Sequence, residues 1–136
     1  MDSAPDNRSI DPTRESFKQL FERVPAQGPV VMLNLLAFRD MATDGKRTGR
    51  QAYSDYSEAV APLLAAAGGR VQWFADAHHA LIAPPGEAWD EVLLVEYPSR
   101  DAFVGMIQSA AYSAIVHHRT AALRDSRLIA TTARRD

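Results

Sequence analysis

Nine consecutive residues, 30–38, form an apolar run in which Asn34 is the single polar side chain. A strand at the surface of a sheet alternates apolar and polar residues, whereas a strand covered on both faces is apolar throughout. Gly28 and Pro29, directly before the run, favour a turn. The run therefore predicts a central strand of a sheet that is covered on both of its faces.

The composition is that of one globular domain. The chain has 136 residues, of which 46% are hydrophobic and 24% charged, and its formal net charge is -2. A disordered chain has fewer apolar residues and a larger charge imbalance, so this chain contains enough apolar sequence for a core. The near-neutral charge argues against nucleic acid as the main partner. The absence of cysteine excludes disulfides, a thiolate nucleophile and cysteine-ligated metal sites.

The N-terminus predicts neither a signal peptide nor a membrane anchor. Residues 1–7 are polar and acidic, and no apolar run approaches the roughly 20 residues that span a bilayer. We therefore expect a cytoplasmic protein without a membrane partner. Residues 1–12 are expected to be disordered or extended.

Helical spacing of apolar residues predicts several helices. The first, over 13–23, ends before Pro25, and the second, over 51–67, ends at a Gly-Gly pair. Pro62 lies inside the second pattern, so it either kinks this helix or splits it. Ser99 is a typical cap for a third helix that ends near Ile107, and Ser109 caps another that extends to Arg119.

Three further runs predict strands over 70–83, 91–97 and 128–132, and the first is long enough to favour a bulge midway. The order after the N-terminal helix is then strand, helix, strand, strand, helix, strand. This order is that of the α+β, ferredoxin-like βαββαβ fold with a four-stranded antiparallel sheet. Residues 13–27 would form the extra N-terminal helix and its linker, and residues 28–132 the ferredoxin-like domain.

One face of such a sheet lacks a covering layer, because right-handed crossovers place both helices on the other face. An exposed apolar face needs a partner, and the simplest partner is a second copy. The sequence therefore predicts a homodimer with a closed barrel between the two sheets. We expect the uncovered face to carry apolar side chains of the two central strands, namely Val30, Met32, Leu36, Phe38, Val92 and Leu94.

Several short motifs resemble the domain-of-unknown-function 1330 family of the dimeric α+β barrel superfamily. They lie over 28–36, 68–70, 89–90, 95–99 and 109–112, with Arg119, and the resemblance spans roughly residues 28–132. Two positions depart from the family pattern, Ala110 where proline is common and Ala111 where glutamate is common. The resemblance implies the fold, a homodimer and a pocket, but no reaction.

Asn34 and Glu96 are the first candidate catalytic residues, because a polar group inside an apolar strand must find hydrogen-bond partners. If the first and third strands are adjacent and parallel, both side chains project into the barrel. Glu96 would then be a proton acceptor with a raised pKa, and Asn34 would stabilise a developing oxyanion. Alternatively, the two form a buried polar pair that fixes the register or the dimer geometry.

His78 and His79 are consecutive on a predicted strand, so they leave opposite faces and cannot bind one metal ion together. The inward one is either a core histidine or a general acid or base, and the sequence leaves open which one points inward. No metal-binding motif is present, so we expect no metal site.

Five further residues are candidates for substrate binding. Aromatic residues at regular spacing are mostly core residues, but some of them line pockets. An arginine at the end of an apolar strand is suited to binding a carboxylate, and the alternative for Arg119 is an ion pair with Asp125 or Glu96. The five candidates are Arg39, Trp73, Tyr56, Tyr112 and Arg119.

These observations predict a small-molecule-binding protein. One hypothesis is a cofactor-independent enzyme that performs proton transfer or monooxygenation on a small aromatic or carbonyl compound in a pocket inside the dimer barrel. The alternatives are a non-catalytic ligand-binding or stress-associated dimer, and a dimerisation module whose barrel is filled by side chains. No glycine-rich phosphate-binding motif occurs, so we expect no nucleotide cofactor.

Overall fold

The computed structural model describes residues 8–134, so residues 1–7, most of the predicted N-terminal extension, lie outside it, as do residues 135 and 136. It contains a single four-stranded sheet with helices on one side, and this confirms the predicted ferredoxin-like α+β fold with an extra N-terminal helix. The elements are α1 (Arg14–Arg23), β1 (Val30–Phe38), α2 (Gly49–Ala66), β2 (Arg70–Asp76), β3 (Glu91–Tyr97), α3 (Arg100–Ile107), α4 (Ala110–Ser113), α5 (Val116–Ala122) and β4 (Leu123–Thr131).

The sheet has the strand order β2-β3-β1-β4, so β1 and β3 are central as predicted. All three pairings are antiparallel. They confirm the predicted antiparallel sheet, whereas the parallel β1–β3 pair on which the Asn34–Glu96 hypothesis depended is not present. In a βαββαβ chain the β2–β3 connection reverses the chain direction before β3 pairs with β1, and this makes the central pair antiparallel.

The helices cover the face of β1 that was predicted to be uncovered. Val30, Met32 and Leu36 are buried under the helices, where they pack against residues of α2, α3 and α5. The uncovered face is instead formed by the alternate residues, because side chains along a strand point to opposite sides in turn. We call it the open face, and it comprises Val31, Leu33, Leu35, Trp73, Val92, Leu94 and Ile129. Of the residues expected there, only Val92 and Leu94 lie on it.

β2 is half as long as predicted, since it ends at Asp76. The backbone N–H of Ala77 still donates to the carbonyl of Asp90 at 2.9 Å. After Ala77 the chain has no strand opposite it, because β3 begins only at Glu91. A bulge is present, but between Val71 and Trp73 near the start of β2 and not midway along the predicted strand, so these two side chains point to opposite faces.

The helices differ from the prediction at two places. α2 continues as one helix through Pro62, so the predicted alternative of a split helix is wrong. The long helix predicted after Ser109 is instead two short ones, α4 and α5, separated by tight turns in which the N–H of Ile115 donates to the carbonyl of Tyr112. β4 begins at Leu123, five residues earlier than predicted, directly after α5.

The N-terminal segment is fixed on the helix side of the sheet. α1 begins with a capping box in which Thr13 and Ser16 exchange hydrogen bonds, and Leu20 packs against the core. Before α1, the chain crosses β4, where the backbone of Ser9 donates to Asp125 at 2.9 Å and accepts from the hydroxyl of Ser126 at 2.6 Å. Within residues 8–134, no helix is both long and apolar enough to cross a membrane.

Candidate functional site

Asn34 lies under the helices and not on the open face. It pairs in register with Leu93 of β3, and its side chain is 9% exposed. The amide nitrogen donates to the carbonyls of Met32 and Leu93, each at 3.3 Å. These contacts satisfy the amide within the sheet, as expected for a buried polar side chain.

Glu96 lies on the other side of the sheet, opposite Val31. Its carboxylate accepts from the guanidinium of Arg70 at 2.7 Å, at the edge formed by β2. The structure therefore separates Glu96 from Asn34, and the expectation that they project together into one cavity is wrong. The pairing register is the reason: Asn34 stands opposite Leu93, so its face carries the odd-numbered residues of β3, and Glu96 lies on the other face.

His78 and His79 follow β2 in the segment that leads to β3, and both are exposed in this chain. The prediction that they lie on a strand is therefore wrong, and neither is buried within this chain. They line a surface cavity of about 280 Å³ together with residues 83–89. Across this segment, Arg127 of β4 lies 5.1 Å from the ring centre of Trp89.

Tyr56 and Tyr112 come together on the helix side of the sheet. Their hydroxyls lie 2.9 Å apart, and either one can be the donor. Burial, and then the neighbouring Tyr112, raise the pKa of Tyr56 far above its ordinary range, so this hydroxyl stays protonated. Tyr53 packs against Tyr56 with ring centres 5.3 Å apart, and the three rings form a ladder behind the end of β1.

Arg119 is 8% exposed and also lies on the helix side. Its guanidinium donates to the carbonyl of Ile10 at 2.5 Å and to the hydroxyl of Ser126 at 3.4 Å. The predicted ion pair with Asp125 or Glu96 is absent from the described contacts, since Asp125 binds Arg127 and Glu96 binds Arg70. Arg119 thus attaches the N-terminal segment to α5 and β4.

Trp73 is 59% exposed and stands on the open face beside Leu94. It does not meet the tyrosine ladder, which lies on the other side of the sheet. The nine predicted site residues are thus distributed over both faces of the sheet, the loop after β2 and the end of β1. The structure does not unite them in one site.

A cleft of about 350 Å³ lies where β1 ends and α2 begins, and Arg39 is the predicted residue that lines it. We call it the arginine cleft. Three arginines from three parts of the chain meet there, together with two aspartates, a threonine and one aromatic ring. The lining residues are Phe38, Arg39, Asp40, Thr48, Arg50, Asp90 and Arg124.

Each arginine of the cleft is held by the protein through a contact that uses few of its donors. Arg39 donates through Nε to the carbonyl of Leu123 at 3.2 Å, and Arg124 donates to the carbonyl of Ala88 at 3.3 Å. Arg50 lies 5.1 Å above the ring of Phe38. A guanidinium has five N–H donors, so each keeps donors for a ligand. Asp90, in contrast, is already used, because it accepts from the backbone N–H of Phe38 at 2.8 Å.

Glu91 lies behind Arg50 and is a site residue that the sequence analysis missed. One carboxylate oxygen, Oε1, accepts from Arg50 at 3.2 Å. The other oxygen, Oε2, is buried and has no hydrogen-bond partner among the described residues. Glu91 as a whole is 8% exposed. Burial raises the pKa of Glu91, Arg50 lowers it, and Asp76 and Asp90 raise it further, with a net upward shift.

A signal for Glu91 was present in the sequence. Residues 91, 93, 95 and 97 of β3 point to the same side, and this row places a glutamate on the face of Val95 and Tyr97. A carboxylate on the apolar face of a central strand needs a partner or a function.

Comparisons with known proteins match the observed fold. A family model described as Domain of unknown function (DUF1330) matches residues 36–132. A solved structure of a protein of unknown function from Rhodopseudomonas palustris is 40% identical, covers 96% of this chain and 100% of its own, and has a TM-score of 0.86. No curated protein sequence matches this chain significantly.

Two more distant structures share the fold alone. A dimeric ferredoxin-like protein of unknown function from Bacteroides fragilis is 18% identical, covers 79% of this chain and 98% of its own, and has a TM-score of 0.50. A dabb family protein with a ferredoxin-like fold from Mesorhizobium loti is 14% identical, with the same coverage, 79% and 98%, and the same TM-score, 0.50.

Proposed function

We propose that this chain, which belongs to the DUF1330 family, a family of unknown function, is a homodimeric protein that binds a small organic anion in the arginine cleft. The observation that carries this proposal is the convergence of Arg39, Arg50 and Arg124 on one cleft of about 350 Å³. Guanidinium groups bind carboxylates through two parallel N–H···O bonds, so several of them around one cleft favour a carboxylate ligand.

The size and lining of the cleft narrow the ligand class. Three arginines outnumber the two aspartates of the lining, and the carboxylate of Asp90 is already bound to the backbone of Phe38. The ring of Phe38 lies beneath the guanidinium of Arg50 and is 7% exposed, so the cleft is small and is lined mainly by charged and polar groups. A carboxylate attached to one small ring or a short carbon chain fits both features.

Benzoate is a suitable first probe, and benzamide is its neutral counterpart of the same shape. We expect benzoate to bind measurably in isothermal titration calorimetry and benzamide to bind far more weakly. Replacing Arg39 or Arg124 by glutamine removes a charged hydrogen bond worth about 1.5–3 kcal/mol, so affinity falls roughly tenfold or more. Arg23→Gln, at the exposed end of α1, is the matched control and retains affinity. Equal affinity for benzoate and benzamide contradicts the proposal.

The homodimer is the second part of the proposal, and the open face supports it. Trp73 and Ile129 are 59% and 49% exposed on this face, beside the leucines of β1 and β3. A continuous apolar face of this kind is typical of an interface between subunits. We place the ligand in the arginine cleft and not between the sheets, because the open face is mostly apolar and its charged side chains are already paired, Glu96 with Arg70 and Arg127 with Asp125.

A second candidate function is catalysis of proton transfer, and the unpartnered Oε2 of Glu91 favours it over monooxygenation. A buried carboxylate with a raised pKa is suited to accept a proton from a carbon acid. Solvent deuterium exchange into the methyl group of pyruvate, followed by proton NMR, tests this function. We expect wild-type protein to accelerate exchange and Glu91→Gln to lose the acceleration. Equal exchange rates with and without protein contradict catalysis of this type but leave anion binding intact.

A further inference from the structure

The ion pair between Arg50 and Glu91 couples the arginine cleft to a buried carboxylate. Arg50 lines the cleft and its side chain is 58% exposed, whereas the side chain of Glu91 is 11% exposed. Arg50 is therefore the member of this pair that a ligand in the cleft meets first, and Glu91 lies behind it. Resting on the proposed function, we propose that binding of an organic anion in the arginine cleft is accompanied by uptake of one proton at Glu91.

The geometry around Glu91 leaves Arg50 as its principal counter-charge. Asp76 of β2 pairs directly with Glu91 in the sheet, and Asp90 precedes it in the chain, so two carboxylates lie beside it. Tyr53 of α2 also faces it, as a neutral hydroxyl. The cation that favours the charged form of Glu91 is Arg50, which it contacts at 3.2 Å.

An anion in the cleft weakens this stabilisation in either of two ways. If Arg50 turns towards the ligand, Glu91 loses its contact with a cation. If Arg50 bridges both groups, the negative charge of the ligand still arrives beside Glu91. In both cases the charged carboxylate becomes less favourable, because like charges disfavour ionisation and a buried charge without a partner is costly. Taking up a proton from solution removes the charge, and the anion then occupies the cleft without repulsion from Glu91.

Calorimetry measures this coupling directly. Benzoate is titrated into wild-type protein at one pH, between the ordinary pKa of a glutamate and neutrality, in cationic buffers of different ionisation enthalpy such as bis-tris and imidazole. The slope of the observed enthalpy against the buffer enthalpy gives the number of protons taken up. We expect a positive number, of at most one proton per benzoate, in the wild type and a number close to zero in Glu91→Gln.

Glu58→Gln is the matched control, because it removes an exposed carboxylate from the same helix as Arg50. This variant should retain the proton uptake of the wild type. An enthalpy that is independent of buffer in the wild type overturns the inference while leaving the proposed function intact. Uptake that persists in Glu91→Gln overturns it as well. A failure of benzoate to bind overturns the proposed function and the inference together.

A measurement without ligand keeps the test decisive if Glu91→Gln does not fold. In Arg50→Gln, Glu91 has lost its cation permanently, so its titration midpoint should move upward relative to the wild type. The midpoint is followed by carbon NMR of the side-chain carboxyl group. An unchanged midpoint in Arg50→Gln shows that Arg50 does not control the protonation of Glu91, and this contradicts the inference.

Discussion

Replacing Gly49 by alanine inserts a methyl group at a point where three backbone segments meet. Gly49 is the first residue of α2, and its N–H donates to the carbonyl of Arg39 at 3.1 Å. The N–H of Arg39 in turn donates to the carbonyl of Ala122 at 2.9 Å. A β-carbon at position 49 would lie 2.8 Å from the carbonyl oxygen of Ala122 and still closer to that of Arg39.

The destabilisation follows from these distances. Favourable contacts need about 3.5 Å, so backbone on two sides must move, and overpacking of this kind costs about 1–3 kcal/mol. Alanine is the better helix former by at most about 1 kcal/mol, and less at a first helical position. We therefore expect a net loss of about 2 kcal/mol, which lowers the Tm by roughly 5–10 °C for a chain of this length.

Gly105 provides the control, because it lies inside α3 and a β-carbon there meets no atom within 4 Å. Gly105→Ala should raise the Tm slightly through helix propensity alone. Differential scanning calorimetry of both variants gives the comparison. Since Gly49 lies between Arg39 and Arg50 in space and in sequence, Gly49→Ala should also weaken benzoate binding. A Tm at or above that of the wild type for Gly49→Ala would refute the expected clash between a β-carbon at position 49 and the two carbonyl oxygens.

Three further predictions concern the open face, the tyrosine ladder and Glu91. In the proposed homodimer Leu33 on the open face is buried, which is worth about 1.5–3 kcal/mol per protomer, so Leu33→Asp should give monomers in light scattering after size exclusion, whereas Ser57→Asp on the exposed side of α2 should behave as the wild type. Tyr56→Phe removes the 2.9 Å hydroxyl contact with Tyr112 and should cost about 1 kcal/mol in urea unfolding, with no further loss when Tyr112→Phe is added. Because the fold raises the pKa of Glu91, its proton is bound more tightly in the folded than in the unfolded protein. Stability from this group is therefore highest below its unfolded pKa and is lost as the pH rises through its folded pKa. The stability of the wild type should fall relative to Glu91→Gln over that window, and a constant difference would contradict the shift.

The elements of the fold were predictable where turn residues or prolines mark their ends. β1 and β3 have the predicted bounds, because a turn precedes the first and Pro98 follows the second. The open face was predicted to exist, but its residues on β1 were assigned wrongly. Both faces of β1 are apolar, so alternation gives no indication of which face the helices cover.

The candidate site was much less predictable, because it depends on the register between β1 and β3 and on where β2 ends. The register that pairs Asn34 with Leu93 puts Glu96 on the other face, and the early end of β2 leaves His78 and His79 in a loop. Of the predicted site residues, Arg39 lies in the arginine cleft, since the end of β1 was correctly located. Arg50 and Glu91 are 41 positions apart, and such long-range pairs cannot be obtained from local patterns.

The sheet order has a consequence for the chain while it is being synthesised. β1 is made first among the strands, but its neighbours β3 and β4 come later, and β4 ends at Thr131, near the C-terminus. Until β4 has been synthesised, the most apolar strand of the protein has one edge without a partner. Such an edge can pair with strands of other chains. A message truncated before β4 would therefore yield an aggregation-prone product.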